Sequence, residues 1–303
     1  MSHLWLLGID GGGSHTRVLI RSSEGEVLGS WQGPGSNPFD HPDWRATLIQ
    51  LLGGLPIQPR EIAAYCVGLA GHSDLPTVSN EQSKLIRLLF PGVPGTVVND
   101  AQIAHDGAFL VQAGVLLLAG TGSAAWTSDG QGRHGRVGGQ GEAYGDEGSA
   151  HWIGRQALSR LVRALDGRRP DPPFKDALLP YFQLEDPTPH AVLEWTHATH
   201  HPRSRIASVA QWVDALAAQG EPTATSLMRE AGCLLAELVE ASWLGQSPEL
   251  AKRWSCAGSV TGSARVQEAL MRLLGESRYC PAVYTPLEGA VWRAGELLKS
   301  VRP

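Results

Sequence analysis

The stretch GIDGGGSHTRVLI, residues 8–20, places an acid and three consecutive glycines in the middle of an apolar strand pattern. The flanking residues predict strands at 4–9 and 18–21, and a third strand is predicted at 26–31 after a polar turn. Glycine weakens a strand and adds no side chain to a core. The interruption is therefore either a plain turn or a place where a ligand must come close to the backbone.

A second stretch repeats this pattern. LLAGTGSAAWT, residues 117–127, is again a strand, a glycine-rich turn and a strand. A hairpin with a glycine-rich tip can point several backbone N–H groups at a phosphate, and Ser or Thr at the tip adds a hydroxyl. A plain turn is the commoner meaning of a single glycine cluster, but two matched copies with hydroxyl residues favour a polyphosphate site.

Two other phosphate-binding motifs do not account for these stretches. The sequence contains no GxxxxGK[ST], so it is not that of a P-loop protein. GTGSAA, residues 120–125, formally matches the GxGxxA fingerprint. The residues that follow it predict a strand and a turn, whereas that fingerprint requires a helix to begin there.

Composition limits the class of protein. The chain has 303 residues, 42% of them hydrophobic, which suffices for two domains of about 150 residues. A formal net charge of −5 argues against a nucleic-acid partner, which needs a clustered basic surface. No apolar run reaches the roughly 18 residues of a membrane span, and the N-terminus does not resemble a signal peptide. Four widely spaced cysteines indicate neither zinc nor disulfides, so we expect a soluble, reduced, cytoplasmic protein.

The order of the predicted elements indicates an α/β protein in which hairpins alternate with strand–helix units. Two prolines and two glycines predict a loop over residues 33–40. A buried strand is predicted at 63–71, and a short strand ends on Asn99 and Asp100 before a helix. After about residue 147 the pattern becomes mostly helical, until a short strand enters Gly258.

Phosphoryl transfer needs carboxylates to hold Mg²⁺ and to accept the proton of the acceptor, and three acids are candidates for these roles. Asp10 precedes the first glycine tip and could orient a hydrated Mg²⁺. Asp100 lies at a strand end, a usual position for a catalytic carboxylate, with capping of the following helix as the alternative. Asp146 lies in GGQGEAYGDEGSAHWIG, residues 138–154. That glycine-rich loop favours a polyhydroxylated ligand, although acids at a helix start are also explained by the helix dipole.

Six motifs carry a resemblance to a known family by their order and spacing: GIDGGGSHTR, VGLAG, VVNDAQIAHDGA, LLAGTGSAAW, GGQGEAYGDEGSAHWIG and CAGSV. The chain resembles the BadF/BadG/BcrA/BcrD-type ATPases over nearly its whole length. Within them it is most similar to the N-acetylglucosamine and glucosamine kinases. The resemblance implies the fold of the sugar kinase/actin/Hsp70 superfamily: α/β, with two ribonuclease-H-like (actin-like ATPase) domains that have mixed sheets around an interdomain nucleotide cleft.

The resemblance also implies roles for residues at matching positions. Asp100 would be the base that removes the proton from the sugar 6-hydroxyl, and Asp10 would hold Mg²⁺ through water. Adenosine would lie near Gly258 and Ser259. The sugar would be bound by Asn37, Asp100, Gly139, Gly141 and Asp146. The two glycine tips would bind the ATP phosphates through Gly11, Gly12, Gly13, Ser14, His15, Thr16, Gly120, Thr121, Gly122 and Ser123.

The implied N-terminal domain spans residues 1–111 and carries the first phosphate loop, the sugar loop and Asp100. The implied C-terminal domain spans residues 112–303 and carries the second phosphate loop and the adenosine site. Its last helix, at about 287–300, is expected to pack back on the N-terminal domain. The expected cofactors are ATP and Mg²⁺. The expected partners are an amino sugar and a second copy of the chain in a homodimer, with no nucleic acid and no membrane.

The sequence lacks motifs of two related groups of proteins, which argues against membership of either group. Iron–sulfur activators of the same family hold their cluster with cysteines, which the second glycine turn lacks, and the ExGH motif of zinc-containing sugar kinases is absent. The sugar stays open among N-acetylglucosamine, which is favoured, glucosamine and N-acetylmuramic acid. An alternative from another class is a non-catalytic ATP-binding regulator or an ATP-driven activator of a partner protein. Such a protein would need neither Asp100 nor the sugar loops. Residues 167–208 match nothing specific.

Overall fold

The computed structural model describes residues 4–199, 201–244 and 252–301. The chain divides into two compact units. Unit 1 comprises Met1–Ala113 and Pro281–Pro303, and unit 2 comprises Gly114–Cys280. Each unit is built on one mixed β-sheet, which confirms the expected α/β class. Among the described residues, none of the helices combines the length and the hydrophobicity that crossing a bilayer requires.

The sheet of unit 1 has the strand order β3-β2-β1-β4-β5. Its strands and the helices that alternate with them are β1 (Trp5–Gly11), β2 (His15–Ser22), β3 (Val27–Pro34), α1 (Trp44–Gly53), β4 (Ile62–Leu69), α2 (Pro76–Leu89), β5 (Gly95–Asn99) and α3 (Asp100–Phe109). β1, β2 and β3 pair antiparallel, whereas β1, β4 and β5 are parallel. The carboxyl ends of these parallel strands therefore meet at one edge, where open α/β sheets usually bind ligands.

The first hairpin is longer than the sequence pattern predicts. Its ladder continues through the pairs Asp10–Arg17 and Gly11–Thr16, so residues 12–14 alone form the tip. β3 also extends to Pro34, inside the segment predicted as a loop. Proline is tolerated there because β3 is an edge strand, on which one row of backbone groups needs no strand partner.

The sheet of unit 2 has the strand order β8-β7-β6-β9, and β6 and β9 are parallel. Its described elements are β6 (Gly114–Ala119), β7 (Ser123–Ser128), β8 (His134–Gly138), α4 (Ala150–Leu165), α5 (Pro172–Leu178), α6 (Pro189–His197), α7 (Pro202–Ala218), α8 (Pro222–Leu244), β9 (Trp254–Ala257) and α9 (Ala264–Leu274). This order repeats β3-β2-β1-β4 of unit 1. The two similar hairpins in the sequence therefore occupy the same position in both sheets.

The last helix, α10 (Pro286–Val301), belongs to unit 1. Alternate strand residues face opposite sides of the sheet. Leu7, Ile9 and Val67 pack on the side of α1 and α2, whereas Leu6 and Cys66 pack with α3 and α10. Unit 1 is thus a sheet covered by helices on both faces, which fixes the edge that carries Asp10 and Asp100.

The core of unit 2 packs β6 against α4, α7 and α8. Ile153, Ala157 and Leu161 form a buried stripe along α4 at the spacing that an amphipathic helix requires. Ser149 caps this helix, since its side chain accepts a hydrogen bond from the Trp152 N–H at 3.2 Å. The start of α4 therefore has a fixed position next to the loop that contains Asp146.

Candidate active site

The tip of the first hairpin is held in place by the loop that follows β3. The Gly12 N–H donates to the His15 carbonyl at 2.9 Å and closes the turn, and the Ser36 N–H donates to the Gly12 carbonyl at 3.0 Å. The buried Thr16 hydroxyl donates to the Ser36 hydroxyl at 2.9 Å. Thr16, predicted to contact phosphate, is therefore engaged with the protein, while His15 is exposed.

A second contact joins the same loop to the tip. His41 Nε2 lies 2.5 Å from the Gly13 carbonyl oxygen. Gly11 is buried beneath the tip, Gly12 and Gly13 are partly exposed, and Ser14 is exposed. The tip is thus open to a ligand and has a defined backbone.

Asp10 and Asp100 lie at the carboxyl edge of the unit 1 sheet. Asp10 is the next-to-last residue of β1, and Asp100 directly follows β5. β4 separates these two strands, so their backbones are about 10 Å apart. Arg17 stands opposite Asp10 in the ladder, with its Nη1 3.9 Å from Asp10 Oδ2.

Burial raises the pKa of both carboxyl groups. For Asp10 the Arg17 guanidinium opposes this effect without cancelling it. For Asp100, burial and then the negative charge of Asp10 raise the pKa to about 6. The Ala101 N–H, which donates to Asp100 Oδ1 at 2.9 Å, lowers it only in part. Asp100 is therefore ionised at neutral pH and is a stronger base than an ordinary aspartate.

The residue before Asp100 caps α3. Asn99 Oδ1 accepts from the Ala101 N–H at 2.9 Å, and Asn99 Nδ2 donates to the His72 carbonyl at 2.6 Å. His72 is held in turn by Gln82, whose Oε1 lies 3.0 Å from His72 Nδ1. Within the part of the chain that the structure describes, the Asp100 carboxylate accepts from the backbone N–H groups of Ala101 and of Asp100 itself, and no side chain donates to it. Its remaining lone pairs are available to accept a proton.

Asn37 lies in the loop that fixes the first tip. Its Oδ1 accepts from the Phe39 N–H at 3.2 Å, and its Nδ2 donates to Asp40 Oδ2 at 2.6 Å. A Cβ placed on Gly71, just after β4, would lie 3.4 Å from Asn37 Oδ1. The predicted sugar ligand Asn37 is thus at the same sheet edge as Asp100, and it would have to exchange these loop contacts to bind a hydroxyl.

The tip of the second hairpin is supported by a helix N-terminus. The Gly120 N–H donates to the Gly122 carbonyl at 3.0 Å. The first turn of α4 binds the outer side of this tip, since the Ala150 N–H donates to the Gly120 carbonyl at 2.9 Å and the His151 N–H donates to the Thr121 carbonyl at 3.2 Å. Donors of α4 therefore hold the loop, while Thr121 is exposed.

Asp146 and Ser123 join this tip to the loop before α4. The Ser123 N–H donates to Asp146 Oδ1 at 3.2 Å, and the Ser123 hydroxyl donates to the Glu147 carbonyl at 2.7 Å. Arg203 Nη2 donates to Asp146 Oδ2 at 2.7 Å. Asp146 is 3% exposed and has a φ of +60°, which is uncommon for a residue other than glycine. Both oxygens of this predicted sugar ligand thus have protein partners.

The remaining predicted residues also lie in unit 2. Gly139 and Gly141 have φ values of +76° and +86° in the loop that leads to Asp146. Gly258 and Ser259 follow β9 and are exposed. The Gly258 backbone lies against that of Gly120, since a Cβ on Gly258 would be 3.0 Å from the Gly120 nitrogen. The predicted adenosine residues therefore adjoin the second tip.

The structure brings the predicted residues together in two groups. In unit 1 the first tip, the Asn37 loop, Asp10 and Asp100 share one sheet edge. In unit 2 the second tip joins the Asp146 loop and Gly258. Sequence reasoning missed Ser36 and Arg203. Ser36 stands beside Asn37 in GSNPF and could have been suspected from that position, but no local signal relates Arg203 to a loop more than fifty residues earlier.

The residues of unit 1 fit a magnesium ion that accompanies phosphate. Mg²⁺ is usually held by one or two carboxylates, by phosphate oxygens and by water. Asp10 and Asp100 supply two carboxylates whose mutual repulsion raises the pKa of Asp100, and a cation near them would relieve that repulsion. Among the described residues no group of three or more His, Cys, Asp or Glu could form an all-protein metal site.

The sequence matches a protein family over most of its length. A model of the BadF/BadG/BcrA/BcrD ATPase family matches residues 7–292. The N-acetylmuramic acid/N-acetylglucosamine kinase of Clostridium acetobutylicum is 29% identical over 235 residues, which are 75% of this chain and 75% of that protein. The glucosamine kinase of Vibrio cholerae is 29% identical over 189 residues, which are 59% of this chain and 61% of that protein.

A solved structure resembles the whole chain. It is the crystal structure of a protein described as a candidate N-acetylglucosamine kinase from Chromobacterium violaceum, with a TM-score of 0.76 and 26% sequence identity. The match covers 98% of this chain and 100% of that one. The expected two-domain fold of the actin-like ATPases is thereby confirmed.

Proposed function

Because the chain belongs to the BadF/BadG/BcrA/BcrD ATPase family, we propose that it transfers the γ-phosphoryl group of ATP to the 6-hydroxyl of an amino sugar, N-acetylglucosamine first of all. The observation that carries this proposal is Asp100. Its carboxyl group lies at the edge where the parallel strands of the mixed unit 1 sheet end, has a pKa of about 6 and accepts no hydrogen bond from a side chain. These are the properties that a general base at neutral pH needs.

In the proposed reaction the Asp100 carboxylate accepts the proton of the sugar 6-hydroxyl. The sugar oxygen then forms a bond to the γ-phosphorus, the bond from that phosphorus to the β–γ bridging oxygen breaks, and ADP leaves. Phosphoryl transfer of this kind relies mainly on positioning and on charge stabilisation. The base therefore matters most as the acceptor that orients the hydroxyl for attack.

The two glycine tips are the proposed phosphate-binding loops. Backbone N–H groups at such tips form an anion-binding site whatever the side chains are. The proposed sugar ligands are Asn37, Asp100, Gly139, Gly141 and Asp146, and the proposed adenosine contacts are Gly258 and Ser259. Asp10 would hold Mg²⁺, which when bound screens the charge of the phosphates.

The choice of sugar rests on the named relatives. One relative is named for N-acetylmuramic acid and N-acetylglucosamine and another for glucosamine. N-acetylglucosamine also appears in the name of the similar Chromobacterium structure, so we propose it as the preferred substrate, with glucosamine and N-acetylmuramic acid as competitors.

The test is ADP release, coupled to a spectrophotometric readout, with N-acetylglucosamine, glucosamine, N-acetylmuramic acid, N-acetylmannosamine and glucose. We expect kcat/KM to be highest for N-acetylglucosamine, and mass spectrometry should find the phosphate on O6. A higher kcat/KM for glucosamine or N-acetylmuramic acid would change the proposed substrate but would still support the proposed kinase activity. ATP hydrolysis that no sugar stimulates would refute the kinase and favour a nucleotide-driven regulator.

A further inference from the structure

Arg203 connects the helical region of unit 2 to the second glycine tip. It is the second residue of α7. Its Nη2 lies 2.7 Å from Asp146 Oδ2, and its Nε lies 3.0 Å from Glu142 Oε2. One guanidinium group therefore pairs with two carboxylates of the loop that precedes α4.

Gly122 shows how closely this pair approaches the tip. A Cβ on Gly122 would lie 2.6 Å from Asp146 Oδ1 and 3.0 Å from Arg203 Nη2. The Asp146 carboxylate is almost fully buried, whereas the Arg203 side chain is 38% exposed. A negative charge is thus buried directly beside the backbone that is proposed to bind phosphate, and Arg203 is the cation that neutralises it.

The position of Arg203 is set by helix packing. A Cβ on Gly154 of α4 would lie 1.9 Å from the Ile206 carbonyl oxygen of α7. Glycine at position 154 therefore lets the first turn of α7 press against α4, and α4 begins directly after the Asp146 loop. Arg203 thus comes from the segment between α5 and the start of α7, which contains no recognisable sequence motif.

We propose that Arg203 is a positioning residue for the nucleotide. It holds Asp146 against Gly122 and Ser123 and cancels its charge, so that the second tip can accept the triphosphate. This inference rests on the proposed function only in that the tip binds nucleotide, and it does not depend on which sugar is used. It also gives Asp146 a part in phosphate binding besides the sugar contact proposed above.

The test measures the Kd of a non-hydrolysable ATP analogue with Mg²⁺ on the full chain, by calorimetry and without sugar. Arg203→Met should weaken binding about tenfold or more, which is the effect of one uncompensated charge about 10 Å from the phosphates at an effective dielectric constant of about 20. Arg205→Met is the matched control. Arg205 is on the same turn, but its guanidinium stacks on Trp195 with 4.5 Å to the ring centroid, so binding should stay within twofold of the unmodified chain.

A double variant separates positioning from direct contact. Arg203→Met leaves Asp146 buried without its cation, which can also unfold unit 2, whereas Arg203→Met with Asp146→Asn removes both charges. We expect this double variant to recover most of the lost nucleotide affinity. Unchanged binding in a folded Arg203→Met variant would overturn the inference, and so would a double variant that binds as poorly as the single one. If neither the unmodified chain nor any variant shows sugar-stimulated turnover, but the nucleotide affinities are as expected, the kinase proposal is refuted and the role of Arg203 in nucleotide binding is retained.

Discussion

Replacing Asp100 with asparagine should separate activity from stability. The change keeps the shape of the side chain and an oxygen that can accept from the Ala101 N–H, but it removes the proposed base. General bases contribute about 10²- to 10⁴-fold to turnover. We therefore expect kcat with N-acetylglucosamine to fall by at least about a hundredfold, while the affinity for the ATP analogue changes little.

The same variant should be more stable at neutral pH. The folded chain binds the Asp100 proton more tightly than the unfolded chain does, because the pKa rises from 3.8 to about 6. Stability therefore falls as the pH rises between these two values. The ionised carboxylate opposes folding by a few kcal/mol at about pH 7, and by less at pH 5, where the folded chain keeps most of the proton. Asp100→Asn should raise the thermal midpoint of unit 1, and more so at pH 7 than at pH 5.

The unmodified enzyme provides a third readout. If Asp100 must be ionised, kcat/KM should fall about tenfold for each pH unit below about 6. Glu24→Gln removes one exposed carboxylate at the opposite end of the first hairpin and should change neither turnover nor the pH profile. Retention of more than a third of the activity by Asp100→Asn, or an acid limb with no break near pH 6, would refute the assignment of Asp100 as the base.

Two further changes test the neighbours of Asp100 and the second tip. Asp10→Asn should raise the Mg²⁺ concentration needed for half-maximal rate. It should also move the acid limb of kcat/KM to lower pH, because the charge of Asp10 raises the pKa of Asp100. An acid limb that stays at the same pH would contradict this coupling between the two carboxyl groups. Gly122→Ala should weaken binding of the ATP analogue by about tenfold or more, because its Cβ would lie 2.6 Å from Asp146 Oδ1 and such overpacking costs about 1–3 kcal/mol. Gly53→Ala, where a Cβ meets nothing within 4 Å, is the control, and equal affinity of the two variants would argue against a tightly packed second tip.

The sequence predicted the fold class and the two hairpins because their signals are local. Strand period, glycine turns and the matched copies at residues 8–18 and 117–127 can be seen without any knowledge of packing. The lengths of the strands were less predictable. β1 continues through Asp10 and Gly11 because hydrogen bonds from both neighbouring strands outweigh the weak strand preference of glycine.

The roles of individual side chains depended more strongly on tertiary structure. Asp100 was singled out from its place at a strand end, but its pKa follows from burial and from Asp10, which is two strands away. Asn99, not Asp100, caps α3, and Ser36 holds the first tip. Each of these roles depends on a contact between residues that come together only when the sheet forms.

The sequence by itself determined that this chain has two similar halves, each with a glycine-tipped hairpin, and that acids lie close to strand ends. Those features depend only on residues that are neighbours in the sequence, so backbone propensity and periodicity suffice to find them. The tertiary structure alone decided that Arg203 neutralises Asp146 beside the second tip. More than fifty residues separate the two side chains along the chain, and the packing of α7 on α4 at Gly154 closes that distance to 2.7 Å.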